Sequence, residues 1–185
     1  MRTFIAIDLN ESLKKNICEY INELKKINQS KIKWIKENGL HITLKFLGEI
    51  SEDKVSDIDN ILEKTAEQHK PFPITFKGTG YFPNRKKPRV LWLGIENNTI
   101  LCDIQSQLED KLQSLGFPKE KRTFSPHLTM GRIKKPFHLQ PVLSKISADQ
   151  EKYFGEMTAQ KITFFQSILK SSGAEYSVIS ERFFQ

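Results

Sequence analysis

The chain has 185 residues, 38 % hydrophobic and 10 % aromatic; a chain of this length buries roughly 70 % of its unfolded surface, which excludes intrinsic disorder as its main description. Its 29 basic and 22 acidic residues leave a net +7, a bias toward a polyanionic partner such as nucleic acid, nucleotide or acidic lipid. No stretch approaches the ~18 apolar residues of a membrane span, and Met1-Arg2-Thr3-Phe4-Ile5-Ala6-Ile7-Asp8 meets a charge too early for a signal sequence, so no membrane and a cytoplasmic location are expected.

In chain order, Arg2 to Leu9 alternates Phe4, Ala6 and Asp8 against Ile5, Ile7 and Leu9, which predicts a strand. From Ser12, apolar residues at spacings of three and four (Leu13, Ile17, Tyr20, Ile21, Leu24, Ile27) predict a helix. Ile32 to Ile35 reads as a short strand, Asn38-Gly39 as a turn, and Leu40 to Leu47 as a strand rich in β-formers. Ser51 and the acids after it predict a second helix, capped by Ser51 and ending near His69. Phe72–Phe82 and Arg89–Ile95 read as a hairpin whose tip carries Arg85, Lys86 and Lys87. From Asn98 a helical stripe of Leu101, Ile104, Leu108, Leu112 and Leu115 closes at Gly116. A strand from about Pro126 to Ile133 follows, then a short helix near Val142–Ser147. Two final strands, Lys161–Lys170 and Glu175–Phe183, turn at Ser171-Ser172-Gly173. The expected class is α+β with mainly antiparallel sheets, and no Gly/Ser-rich linker divides the chain, so one domain over 1–185 is expected. Cys18 and Cys102 lie in helical segments without metal spacing and read as buried, reduced thiols.

An internal echo stands out: His41-Ile42-Thr43-Leu44 and His127-Leu128-Thr129-Met130 share the pattern His, aliphatic, Thr, apolar, each on a predicted strand. Side chains alternate along a strand, so each copy presents one imidazole and one hydroxyl on one face. Two such strands related by an approximate two-fold axis would face each other across a cleft holding two His and two Thr. That set suits in-line attack on a phosphodiester, with one His taking a proton from the nucleophile and the other giving one to the leaving oxygen. Imidazole serves both roles because its pKa lies near ~6.5, and the Thr hydroxyls can donate to the non-bridging oxygens as charge builds. A single His-x-Thr more often reflects ordinary strand composition; the repetition is what carries weight. His69 and His138 lack the pattern and read as exposed. No Asp, Glu or Cys sits at a ligand-like offset from His41 or His127, so no metal and no cofactor are expected.

With these residues in place, the chain resembles the RNA 2′,3′-cyclic phosphodiesterases, also called the 2′-5′ RNA ligase family, of the two-histidine phosphoesterase superfamily. The resemblance rests on Arg2-Thr3-Phe4-Ile5-Ala6-Ile7, Leu40-His41-Ile42-Thr43-Leu44-Lys45-Phe46-Leu47-Gly48-Glu49, Phe82-Pro83-Asn84, Arg89-Val90-Leu91-Trp92-Leu93-Gly94 and Phe124-Ser125-Pro126-His127-Leu128-Thr129-Met130-Gly131-Arg132. It implies a bilobal, pseudo-two-fold fold with two antiparallel sheets facing a central cleft and helices outside. It further implies hydrolysis of RNA 2′,3′-cyclic phosphate to a 2′-phosphate end, with joining of RNA ends through a 2′-5′ linkage as the reverse. By that resemblance His41 is the proton donor, His127 the proton acceptor, and Thr43 and Thr129 the oxyanion ligands.

Five residues after each His stand Phe46 and Arg132, candidates for gripping the nucleotide by stacking and by pairing with phosphate. An odd offset puts them on the wrong face of a regular strand. Gly131 could supply a bulge that returns Arg132 to the cleft, whereas Phe46 has no such help and reads equally as core. The hairpin tip and Lys119, Lys121 and Arg122 could track an RNA backbone. The expected partner is RNA with 2′,3′-cyclic phosphate or 2′-5′-linked ends, and the expected state a monomer. The competing reading is a non-catalytic RNA-binding module.

Overall fold

The computed structural model describes residues 1–96, 99–170 and 173–185. In chain order these form β1 (Arg2–Asp8), α1 (Glu11–Ile27), β2 (Lys31–Trp34), a 3-10 turn (Glu37–Gly39), β3 (His41–Glu49), α2 (Lys54–Ala66), β4 (Phe72–Phe82) and β5 (Val90–Glu96). They continue with α3 (Thr99–Gln113), β6 (His127–Lys135), α4 (Gln140–Ala148), β7 (Tyr153–Ala159), β8 (Lys161–Lys170) and β9 (Gly173–Phe183). The expected start of the third helix at Asn98, and Ser171 and Ser172 of the expected final turn, lie outside the described residues.

Local chemistry explains most boundaries. The Asn10 side chain caps α1 by accepting from the Leu13 N–H at 2.8 Å, and Leu13, Ile17, Tyr20, Ile21 and Leu24 form its buried stripe. The second helix departs from expectation. Ser51 does not cap it; backbone bonds from Lys54 N–H to Ser51 O and from Val55 N–H to Glu52 O start the helix instead. It ends at Ala66, and a tighter turn carries the chain to His69.

Strand β7 was absent from the sequence expectation. It lies at a sheet edge, and Gly155, at φ +134°, interrupts the alternation that would have marked it. Cys102 is exposed rather than buried, and Cys18 is half-buried, because each lies beside, not on, the apolar stripe of its helix.

The strands form two sheets, ordered β3-β1-β8-β9 (sheet A) and β2-β6-β5-β4-β7 (sheet B), and every pairing is antiparallel. The α+β class with two antiparallel sheets is therefore the observed architecture. The sheets are alike in plan: β3-β1-β8-β9 matches β6-β5-β4-β7, with β2 added outside β6. The lobes are not the two half-chains, however. Sheet B takes β2 and β4 from the first half, and sheet A takes β8 and β9 from the second. The helices cross over as well: α1 follows β1 of sheet A but packs on β7 and α4, while α3 follows β5 of sheet B but packs on α2 and β3. One continuous cluster of buried residues consequently draws on both sheets and all four helices. Among the described residues no helix is long and apolar enough to cross a membrane.

Candidate active site

His41 opens β3 and His127 opens β6, the matching strands of the two sheets. On both, the His and the Thr two residues on are half-buried while the residues between and after are buried, so each strand turns its imidazole and hydroxyl to one face. His41, Thr43, His127, Thr129, Phe46 and Arg132 all line one cleft of about 400 Å³.

The odd offset of Phe46 and Arg132 is resolved by a pair of bulges. Across β5, Leu91 faces Gly131 and Trp92 faces Thr129, which leaves Met130 as an extra residue in β6. Across β1, Ile5 faces Lys45 and Ala6 faces Thr43, which leaves Leu44 extra in β3. Each bulge sits three residues after its His and shifts the alternation by one, so the fifth residue returns to the cleft face. Phe46 is accordingly not core: it is 63 % exposed and lines the cleft. Gly131 serves the bulge by close approach, since a Cβ there would stand 2.9 Å from Ile32 Cγ2 and 3.0 Å from Trp34 Cε3.

Among the cleft residues that went unremarked as site residues in the sequence are Arg2, Phe4, Ser167 and Tyr176. The Phe4 ring lies 4.7 Å from that of His41, and Tyr176 meets His41 edge-on at 5.3 Å. Phe4, Ala6 and Phe165, with Tyr176 against them, form a small apolar cluster separate from the main core. The period-two pattern of β1 already separated Phe4 and Ala6 from Ile5 and Ile7, but Tyr176 carries no local motif and reaches the site only through the pairing of β9 with β8.

The two imidazoles are electrostatically similar. Burial pushes the His41 pKa down to about 4, with Arg132 and Lys14 pushing the same way and a hydrogen bond from the ring to the Gly39 backbone opposing. Burial also lowers His127, again with Arg132 adding and the Ser125 backbone opposing. Nδ1 of His127 lies 2.7 Å from the Ser125 carbonyl oxygen. A carbonyl only accepts, so Nδ1 carries the proton and Nε2 of the neutral ring keeps a free lone pair. Both rings thus lean on the backbone two residues upstream. Burial raises the Tyr176 hydroxyl, against the pull of Arg132 and Arg2; Arg132 is the charge that all three groups feel. A cleft with two imidazoles lowered by burial, two hydroxyls and the guanidinium groups of Arg2 and Arg132 can receive an anion.

The remaining histidines lie elsewhere. His138 is exposed, but His69 is half-buried: its Nδ1 and Nε2 lie 2.9 Å from the Thr65 carbonyl and 3.0 Å from Asp103, where it joins α2 to α3. The basic hairpin tip, Arg85, Lys86 and Lys87, is exposed and does not line the cleft.

Comparison with known proteins bears on the family of the chain. A family model described as LigT like Phosphoesterase matches residues 7–92 and 95–176. A Methanocaldococcus jannaschii protein named RNA 2′,3′-cyclic phosphodiesterase is 38 % identical over 181 residues, covering 98 % of this chain and 99 % of its own. Its namesake from Methanothermobacter thermautotrophicus is 34 % identical over 177 residues, with 96 % and 95 % covered. A solved structure from Thermus thermophilus superposes with a TM-score of 0.83 at 27 % identity, covering 100 % of this chain and 98 % of that one. E. coli LigT complexed with 3′-AMP shares the fold, with a TM-score of 0.79 at 21 % identity over 99 % of this chain and 97 % of that one. On the extent of these matches, the chain belongs to the LigT-like phosphoesterase family.

Proposed function

We propose that the protein hydrolyses 2′,3′-cyclic phosphate ends of RNA to 2′-phosphomonoesters by acid–base catalysis between His41 and His127. The observation that carries this reading is the convergence of two His-x-Thr strands, one from each sheet, on a cleft that also holds Arg2 and Arg132. Relatives 34–38 % identical over nearly the whole chain bear the name of that activity.

The aromatic side of the cleft belongs to sheet A: Phe4, Phe46 and Tyr176 surround the His41 end. The nucleoside lies there, its base against Phe46 or Tyr176, which turns O3′ toward His41. Water then approaches phosphorus from the His127 side, in line with the P–O3′ bond. Nε2 of His127 takes the water proton, the new P–O bond forms, the P–O3′ bond breaks, and protonated His41 gives its proton to O3′. The 2′-oxygen stays bonded, so the product is the 2′-phosphate. Thr43 and Thr129 donate hydrogen bonds to the non-bridging oxygens, and Arg132 offsets the charge growing on them. With a 5′-hydroxyl in place of water, the same proton transfers join RNA ends by a 2′-5′ linkage. All the groups come from one chain, which supports action as a monomer, and an RNA-end substrate supports a cytoplasmic setting.

The test is turnover of a nucleoside 2′,3′-cyclic phosphate in EDTA with the product isomer resolved. The wild type is expected to give the 2′-phosphate alone. His41→Ala and His127→Ala are each expected to lose about 10²–10⁴-fold while remaining folded. Undiminished turnover in both variants would refute the mechanism, and a wild type that binds RNA without turnover would leave the binding-module reading standing.

A further inference from the structure

A second cavity, of about 420 Å³, opens beside the first and shares one catalytic side chain with it, His127. Such a volume falls within the range of small-ligand pockets, roughly 300–1,000 Å³. The lining is mixed, with Lys77, Thr79, Ser125, Gln150 and Glu151 among its polar residues, and one side of it is aromatic. The Trp92 ring lies 5.2 Å from that of Phe82, which meets His127 edge-on at 5.0 Å, and all three line the cavity. A glycine makes room for the indole. A Cβ on Gly80 would stand 2.2 Å from Trp92 Cζ2, so the ring lies down over neighbouring backbone rather than standing off the sheet. The charge differs from that of the first cleft. Lys77 on the rim is held by two carboxylates, Glu96 at 2.9 Å and Glu151 at 3.2 Å, whereas the first cleft presents Arg2 and Arg132.

The geometry points to this cavity as the subsite for a second, uncharged nucleoside that enters on the attacking side of the phosphate and presents its 5′-hydroxyl to His127. This rests on the reading above, in which O3′ leaves on the His41 side and the nucleophile arrives beside His127. An aromatic shelf suits a base, since stacking on a ring tolerates any base. A neutralised lysine offers little to a phosphate, which favours an end with a free hydroxyl. In the step itself the 5′-oxygen bonds to phosphorus, the P–O3′ bond breaks, the 5′-hydroxyl proton passes to His127 Nε2, and the His41 proton passes to O3′. Water and the nucleoside compete for one position, so the occupancy of the second cavity sets the ratio of transfer to hydrolysis.

The experiment incubates the protein with adenosine 2′,3′-cyclic phosphate and increasing cytidine, and separates adenosine 2′-phosphate from the 2′-5′-linked dinucleoside monophosphate. The ratio of the two products is read within one sample and does not depend on how much of a variant is folded. For the wild type the ratio is expected to rise with cytidine and saturate. Trp92→Ala should lower the ratio about tenfold and Trp92→Phe should keep most of it, in line with the worth of one stacked base. Gln150→Trp, adding bulk to an exposed residue of the cavity rim, should lower the ratio without disturbing the sheet. Hydrolysis without transfer, a ratio rising linearly without saturation, or a ratio unchanged in both Trp92→Ala and Gln150→Trp would overturn the subsite. A wild type that hydrolyses nothing would overturn the proposed function instead.

Discussion

At the residue scale, the two imidazoles are set by burial before they are set by any partner. His41 at about 4 and His127 below its ordinary value leave both neutral near neutrality in the free protein, whereas the proposed chemistry needs His41 protonated. A bound phosphate supplies the negative charge that burial and Arg132 withhold. The pH profile of kcat/KM, which reports the free protein, is therefore expected to be bell-shaped with its maximum below ~6.5, and that of kcat to lie at higher pH. Coincident profiles centred at or above neutrality would contradict this. Stability follows from the same shifts. The unfolded chain takes up a proton on each histidine near ~6.5 while the folded chain resists, so the unfolded state binds more protons in this window and stability falls from about pH 6.5 down to about 4. Thermal melts should show that decline, and His41→Gln should flatten it. Residue types and their spacing were enough to single out His41, Thr43, His127 and Thr129, because the motif's chemistry lies in side chains two apart on a strand.

At the element scale, the deciding feature is the bulge. In a regular strand Phe46 and Arg132 would point away from His41 and His127; one extra residue in each strand, Leu44 or Met130, brings them round. The glycine in the second copy made that bulge legible in sequence. The first copy has Lys45 in the equivalent place, so its bulge was invisible and Phe46 read equally as core. Gly131→Val tests the arrangement: a branched side chain would collide with Ile32 and Trp34, at a cost of about 1–3 kcal/mol. The bulge can relieve this only by shifting, so inhibition by inorganic phosphate should weaken together with thermal stability. Unchanged phosphate inhibition in a destabilised variant would show that Arg132 is held by something other than the bulge. Strand β7 escaped notice for a related reason, since an interior glycine and an edge position erase the alternation on which strand assignment depends.

At the scale of the whole molecule, the two motifs must be held in register although they belong to different sheets. Lys45, between the extra residue Leu44 and Phe46, is buried and donates to Glu109 of α3 at 2.6 Å and to the Pro118 carbonyl at 2.9 Å. Glu109 in turn accepts from Gln105 and from the Glu120 N–H, both at 3.0 Å. The segment through Pro118 and Glu120 runs on to His127, so one buried ion pair ties the first motif to the approach of the second. Lys45→Met leaves a buried carboxylate without its cation, a loss of about 3–5 kcal/mol, or a fall in Tm of roughly 6–20 °C for a chain of this size. The double variant Lys45→Met, Glu109→Leu should recover most of it; a double variant no more stable than the single would assign the loss to packing. By itself the amino-acid sequence determined the α+β class, the paired His-x-Thr strands and the family resemblance, since periodicity and motif spacing are local properties of the chain. Tertiary structure decided the rest. Which strands share a sheet, that α1 and α3 cross to the opposite lobe, that Tyr176 and Arg2 join the cleft and that Trp92 floors a second cavity all depend on contacts between residues far apart in the chain, which no local pattern encodes.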